Sequence, residues 1–350
     1  MSLKINIAWT DATFNPWLGC AKVSPACRNC YIVRTPALRT RGMKHGDARQ
    51  RTAESTWRNP IAWNARAERE GRRIKVFCLS LGDWLDEHVP IAWRTDLLDL
   101  IRQTPCLDWQ LLTKRPQNWW DLVSASMKAA DASGRIELGS WLSWWLDTGG
   151  NARPPENVWI GVTVENQYMA DARIRELIEI PALVRFLSCE PLLEPLDLSY
   201  WLTDPIVPQL DWVICGGETG DKKDDVRAMH PKWAQSLRDQ CGEVGVPFFF
   251  KQWGDWAHMP ERAHLKGVCA EEWRRLESDM DGIRPALMFR VGKAKSGNLL
   301  DGKEWGEFPK KMNRRGTETQ RMPDEPLKKK RGTNEDQAYA DWSRRASLKT

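Results

Sequence analysis

The sequence predicts an α/β fold, a partial parallel (β/α) barrel of about six strands. Three observations lead there. Short, β-rich apolar runs recur along the chain, and they lack the polar alternation of half-exposed strands, as expected where a parallel sheet is covered on both faces. Amphipathic helical patterns lie between them. The alternation of the two holds over about 250 residues.

In chain order, a weak first strand is expected at Lys4–Trp9 (KINIAW). Stronger ones follow at Lys75–Ser80, Trp109–Thr113, Val158–Val164, Leu183–Cys189, Asp211–Cys215 and Val246–Lys251. Helices are expected at Ile91–Arg102, with Trp93, Leu97, Leu98 and Ile101 on one face, at Tyr168–Ile180, and at Pro231–Val244 through Trp233, Leu237 and Cys241. An open doubly wound sheet fits the same alternation. In either fold the functional groups belong at the C-terminal ends of the strands. That edge is polar here: Ser80, Asp83, Thr113, Lys114, Arg115, Thr163, Glu165, Ser188, Glu190, Gly216, Gly217, Glu218, Lys251 and Gln252.

The barrel is assigned to residues 1–256, with an insertion at about 125–156 carrying Trp141, Trp144 and Trp145. Residues 257–309 read as a small irregular C-terminal extension, and 310–350 as a basic, disordered tail.

Composition narrows the class. The chain has 350 residues, 41% hydrophobic and 28% charged. No apolar run reaches the roughly 18 residues of a membrane span, and no apolar leader precedes the body. A secreted, collagenous or wholly disordered protein is excluded. There are 21 Trp against 4 Tyr, and 9 Cys, an odd count without disulfide-like spacing. That usage fits a thiol-reducing, cytoplasmic setting, where clustered cysteines are metal ligands or catalysts. The net charge of +5 is segregated: residues 34–75 carry +8, residues 76–309 carry −11 and residues 310–350 carry +6. A polyanion would be held by Arg34, Arg39, Arg41, Lys44, Arg49, Arg51 and the tail, with Trp57 available to stack on bases.

The sharpest motif is Cys20-x6-Cys27-x2-Cys30, in a loop after the first expected strand. Three thiolates this close can wrap one metal centre, zinc or an iron–sulfur cluster. Closed structural zinc wants a fourth ligand, and His45 is the nearest histidine. A [4Fe–4S] cluster on three cysteines leaves one iron open to a substrate or cofactor. Cys78, Cys106, Cys215, Cys241 and Cys269 read as core packing, with Cys189 the exception at a strand end.

A three-cysteine loop after the first strand of a parallel half-barrel resembles the radical S-adenosylmethionine (radical SAM) superfamily, although the first gap is six residues here and three is common there. The chain is more closely similar to a phage-associated family of unknown function with this motif. The matching stretches are Trp9–Cys30, Leu112–Pro116, Ile160–Asn166, Leu187–Pro195, Trp212–Gly220, Phe248–Trp253 and Leu300–Pro309.

The resemblance implies a [4Fe–4S] cluster on Cys20, Cys27 and Cys30, with S-adenosylmethionine on the fourth iron. It also implies an electron donor of flavodoxin or ferredoxin type. Reductive cleavage would yield a 5′-deoxyadenosyl radical for hydrogen abstraction. On this reading Ser80 and Asp83 meet the SAM ammonium, Thr163 and Glu165 the ribose, and Gly216 and Gly217 the SAM edge. Lys114, Arg115, Lys251 and Gln252 hold substrate, and Glu190 and Glu218 act as substrate partners or proton relays. The expected substrate is a nucleic-acid base, as in phage-type DNA modification in a host cytoplasm, with room for a protein partner. Isomerase, lyase and transferase outcomes stay open. The alternatives are a zinc-stabilised nucleic-acid-binding protein and an iron–sulfur repair lyase or nuclease without SAM.

Overall fold

The computed structural model describes residues 7–149, 151–204, 209–221, 225–258, 272–278 and 280–309. Residues 7–309 belong to one compact unit. The expected tail at 310–350 and Cys269 lie outside the described residues.

Seven strands form one all-parallel sheet: β1 (Ala12–Phe14), β2 (Ile74–Cys78), β3 (Leu107–Thr113), β4 (Val158–Thr163), β5 (Val184–Cys189), β6 (Trp212–Gly216) and β7 (Phe248–Gln252). Their spatial order is their chain order. A doubly wound sheet would reverse direction partway; here each crossover adds a strand to the same edge, and the sheet curls into a half-barrel. The main helices are α1 (Asn59–Arg69), α2 (Ile91–Gln103), α3 (Trp119–Ala132), α4 (Ile136–Trp145), α5 (Gln167–Glu179) and α6 (Pro231–Val244).

Three expectations are corrected. The first strand is Ala12–Phe14, not Lys4–Trp9: residues 4–6 lie outside the described residues, and Ile7–Trp9 are not extended. Trp9 is apolar for another reason, since it packs with Phe77 and Trp212 inside the curl. Second, the Trp-rich part of 125–156 is largely packed core. Trp145 stacks edge-on to Trp119 at 5.6 Å, and its indole N–H donates to Pro181 O at 2.7 Å. Third, the segment expected to be irregular contains a three-stranded antiparallel sheet of β8 (Trp256–His258), β9 (Glu272–Leu276) and β10 (Ala286–Arg290), with β10 central. The charged run of β9 hides it, because Arg274 and Arg275 are paired with Glu272, Asp225 and Glu277.

The strands do alternate, but between two kinds of buried face. Val76, Cys78, Val162, Leu187, Cys189, Val213 and Cys215 join the large core with the helices. Phe77, Trp159, Phe186, Trp212, Ile214 and Phe249 fill the concave side with Trp9. The rings of Trp9, Trp159 and Phe249 meet Trp212 edge-on at 6.1–6.2 Å, contacts worth about 0.5–1.5 kcal/mol each beyond burial. Gly161 is required there, since a Cβ on it would lie 2.3 Å from the Phe186 ring. The aromatic plug fills the interior of the curl and leaves the C-terminal mouth above it for a site. Among the described residues no helix is long and apolar enough to cross a membrane.

A cysteine loop clamped over the strand ends

The chain leaves β1 and makes a two-residue ladder, Trp17–Leu18 with Gln50–Arg51. Gly19 then turns with φ +104° and donates its N–H to Leu81 O at 3.1 Å. That left-handed turn swings Cys20–Cys30 across the mouth of the barrel.

Four strand ends hold the loop there. After β2, Ser80 O accepts from Tyr31 Oη at 2.8 Å. After β3, Arg115 donates to Ala21 O at 3.3 Å and to Cys20 Sγ at 3.8 Å. After β4, Glu165 accepts the Ala26 N–H at 3.2 Å. After β6, Glu218 accepts from Asn29 Nδ2 at 2.9 Å. Each clamping group is itself fixed. Glu165 is fully buried against Arg173 at 2.8 Å. Glu218 is paired with Arg227, which also donates to Pro25 O. Arg115 is 2% exposed and paired with Asp83 at 3.0 Å and Glu87 at 3.2 Å.

Several residues expected to meet a ligand already have partners within the chain. Asp83 already accepts from Thr113 Oγ1, Lys114 N, Leu85 N and Arg115, which leaves it no position for an ammonium group. Arg115 faces Cys20 and its acidic partners. Glu165 is turned to Arg173 and the loop. Gly216 and Gly217 serve close approach: a Cβ on Gly217 would sit 2.0 Å from Trp253 O, and one on Gly216 3.1 Å from Glu190 Oε2. Glu218 anchors the loop. Cys189, the expected exception among the scattered cysteines, is fully buried on the helix side, and burial pushes its thiol well above the ordinary range.

Beneath the loop lies a cavity of about 200 Å³. Cys20, Cys27 and Cys30 line one wall, and Trp9, Phe77 and Leu112 are among its apolar lining. Ser80, Asp83, Lys114, Arg115, Thr163, Ser188, Glu190, Gly217, Glu218, Lys251 and Gln252 complete most of the rim. Glu190 is paired with Lys251 at 2.5 Å, and the Ser80 hydroxyl accepts from Asn15 at 3.1 Å. Among the polar groups at the cavity without a partner in the described residues are the Lys114 ammonium, the Thr163 hydroxyl, the buried Gln252 Oε1 and the buried His45 Nδ1. Sequence reasoning missed Asn15, Arg173 and Arg227, which hold the loop or its anchors. An arginine on the apolar stripe of α5, beside Ala170, Ile174 and Leu177, was the available signal for Arg173.

Burial and then Asp83 push the Cys20 thiol up to about 11, and burial raises Cys30. Burial opposes charge on Arg115, yet Asp83 and the Cys20 thiol hold its guanidinium above the ordinary value. Burial thus favours the protonated thiol at Cys20 and Cys30. Among the described residues the three sulfurs do not all come within 4.8 Å of one another, and His45 does not complete such a group. The one such cluster, Asp86, Glu87 and His88, is spoken for by the Arg49–Asp86 pair at 2.7 Å.

Outside the mouth, the basic stretch divides. Arg34 pairs with Asp221, Arg49 is buried on Asp86, and Arg51 pairs with Asp96 and lies 4.0 Å over Trp57. Trp57 is itself buried, which removes it as a stacking platform for bases. Arg39, Arg41 and Lys44 are exposed and have no carboxylate partner for their side chains among the described residues.

No curated protein and no solved structure matches the chain. A family match covers residues 4–309, running on through residues 125–156. The chain therefore belongs to the family described as protein of unknown function (DUF5131).

Proposed function

We propose that the chain is a radical SAM-type enzyme, with a [4Fe–4S] cluster on Cys20, Cys27 and Cys30 and S-adenosylmethionine in the cavity beneath them. The observation that carries this reading is a wall of three thiols, clamped by four strand ends, over the C-terminal mouth of a singly wound parallel half-barrel. Three cysteines leave one iron of a [4Fe–4S] cluster open to a substrate or cofactor, whereas a closed structural zinc site wants four protein ligands. When bound, the two cofactors supply reductive cleavage of the sulfonium and hydrogen-atom abstraction from substrate.

The protein's part follows from the uncommitted groups. Lys114 offers a cation to the SAM carboxylate, and the Thr163 hydroxyl offers a contact to the ribose. The Glu190–Lys251 pair and Gln252 Oε1 present an acid, a base and an acceptor to substrate. Trp9, Phe77 and Leu112 keep the interior dry. For the substrate, Arg39, Arg41 and Lys44 form a basic lip suited to nucleic-acid phosphates.

Incubating anaerobically purified protein with dithionite and SAM tests the reading: 5′-deoxyadenosine release supports it, and none from an iron-loaded protein rejects it in favour of an iron–sulfur enzyme without SAM. Oligonucleotide affinity should fall with salt at a slope that drops by about 0.9 for each lip cation removed; a flat response removes nucleic acid. One observation favours the zinc alternative: His45 lines the cavity with a buried, unpartnered Nδ1. One tightly held zinc, no iron and no SAM cleavage would select it.

A further inference from the structure

We infer that Arg115 is a positioning residue that sets the electron affinity of the metal centre through an N–H···S hydrogen bond to Cys20. This rests on the iron–sulfur reading above.

The three thiols are not equivalent. Cys27 has only the Ser24 hydroxyl at 4.0 Å, and Cys30 has no side-chain donor among the described residues. Cys20 alone meets a charged donor, Arg115 Nη1 at 3.8 Å. The guanidinium is held in place: Nη1 also reaches Asp83 Oδ2 at 3.0 Å and Nη2 reaches Ala21 O at 3.3 Å, while Glu87 lies 3.2 Å from Nε as an ion pair without a hydrogen bond. Only the planar fork of arginine serves these directions together; lysine offers a single point charge. A buried cation donating to a ligating sulfur favours the more electron-rich state of the centre and raises its potential. Asp83 moderates that effect by drawing on the same Nη1.

Two charge changes therefore act with opposite signs. Arg115→Met removes the donor and lowers the midpoint. Asp83→Asn leaves the donor and strips its counter-charge, raising the midpoint. Arg115→Lys keeps the charge, loses the fork and falls between wild type and Arg115→Met.

The test is a potentiometric titration of the anaerobically reconstituted full chain, followed by the EPR signal of the reduced centre. The step read is a one-electron reduction, with dithionite giving the electron and no bond made or broken. At the wild-type midpoint, Arg115→Met should show about a tenfold smaller ratio of reduced to oxidised centre, equivalent to about 59 mV for one electron. Should Arg115→Met fail to fold, Arg115→Lys and Asp83→Asn carry the same opposed signs. Iron-loaded variants that all titrate at the wild-type midpoint, or all shift in one direction, overturn the role of Arg115. A wild-type chain that binds no iron overturns the proposed function instead, and metal analysis before the titration separates the two.

Discussion

Cys78, Cys189 and Cys215 lie on the helix side of β2, β5 and β6, while the C-terminal ends of β2, β3, β4 and β6 hold the loop of Cys20, Cys27 and Cys30 in place. The first group is fully buried in an aliphatic layer, with no charge partner beyond other core thiols and distant carboxylates. The second lies on a loop tied down by Arg115, Glu165, Glu218 and the Ser80 carbonyl, with a cavity beneath it. The difference is one of position on a pleated strand. Side chains inside the run pack, and those just past its end reach the mouth. A thiol in the first place fills space, and one in the second faces the cavity.

Removing cysteines from each group breaks or sharpens that contrast most strongly. Cys20→Ala, Cys27→Ala and Cys30→Ala should each cut bound iron to background, while Cys189→Ala should retain it and lose only about 1 kcal/mol of stability; iron analysis and denaturant melts read both. Loss of iron from Cys189→Ala would erase the distinction. Next is the clamp. Glu165→Ala leaves Arg173 buried without its carboxylate and frees the Ala26 N–H, which should cost about 3–5 kcal/mol. A small shift in the denaturation midpoint would show that the clamp is dispensable. Gly161→Ala probes the plug under the cavity: its methyl meets the Phe186 ring, for a cost of about 1–3 kcal/mol, and an unchanged midpoint would mean that the plug repacks freely.

The smallest expected effect lies on the helix side. His230 caps α6, its Nδ1 accepting from Lys232 N at 3.1 Å, and burial holds its pKa below the ordinary value. The unfolded chain thus binds this proton more readily. The contribution is fully present above the ordinary histidine value of about 6.5 and is lost as pH falls through the folded value. His230→Asn keeps a capping acceptor, so it should flatten the acid side of the stability profile without altering stability at pH 8. Equal slopes of stability against pH in the two proteins would contradict this.

The parallel strands from Lys75 to Lys251 and three of the long helices, α2, α5 and α6, were legible in the sequence, because apolar runs and helical stripes respond to burial that the fold supplies. The residues of the polar rim were legible too, since parallel strands put their next residues at the mouth. What each rim residue does was not. Asp83 and Arg115 read as ligand groups when taken one at a time; only the fold brings them within 3.0 Å of each other. Glu165 and Glu218 likewise gain partners eight and nine residues on, in Arg173 and Arg227, and distant ones in the cysteine loop. Ala12–Phe14 was too short to stand out beside Ile7–Trp9, whose apolar character serves the concave plug.

Everything proposed for the clamped loop depends on its holding an iron–sulfur cluster. Iron, sulfide and zinc analysis of wild-type protein purified without oxygen decides this. About four irons and four sulfides per chain, with zinc at background, are expected. One zinc per chain with neither iron nor sulfide would refute the cluster.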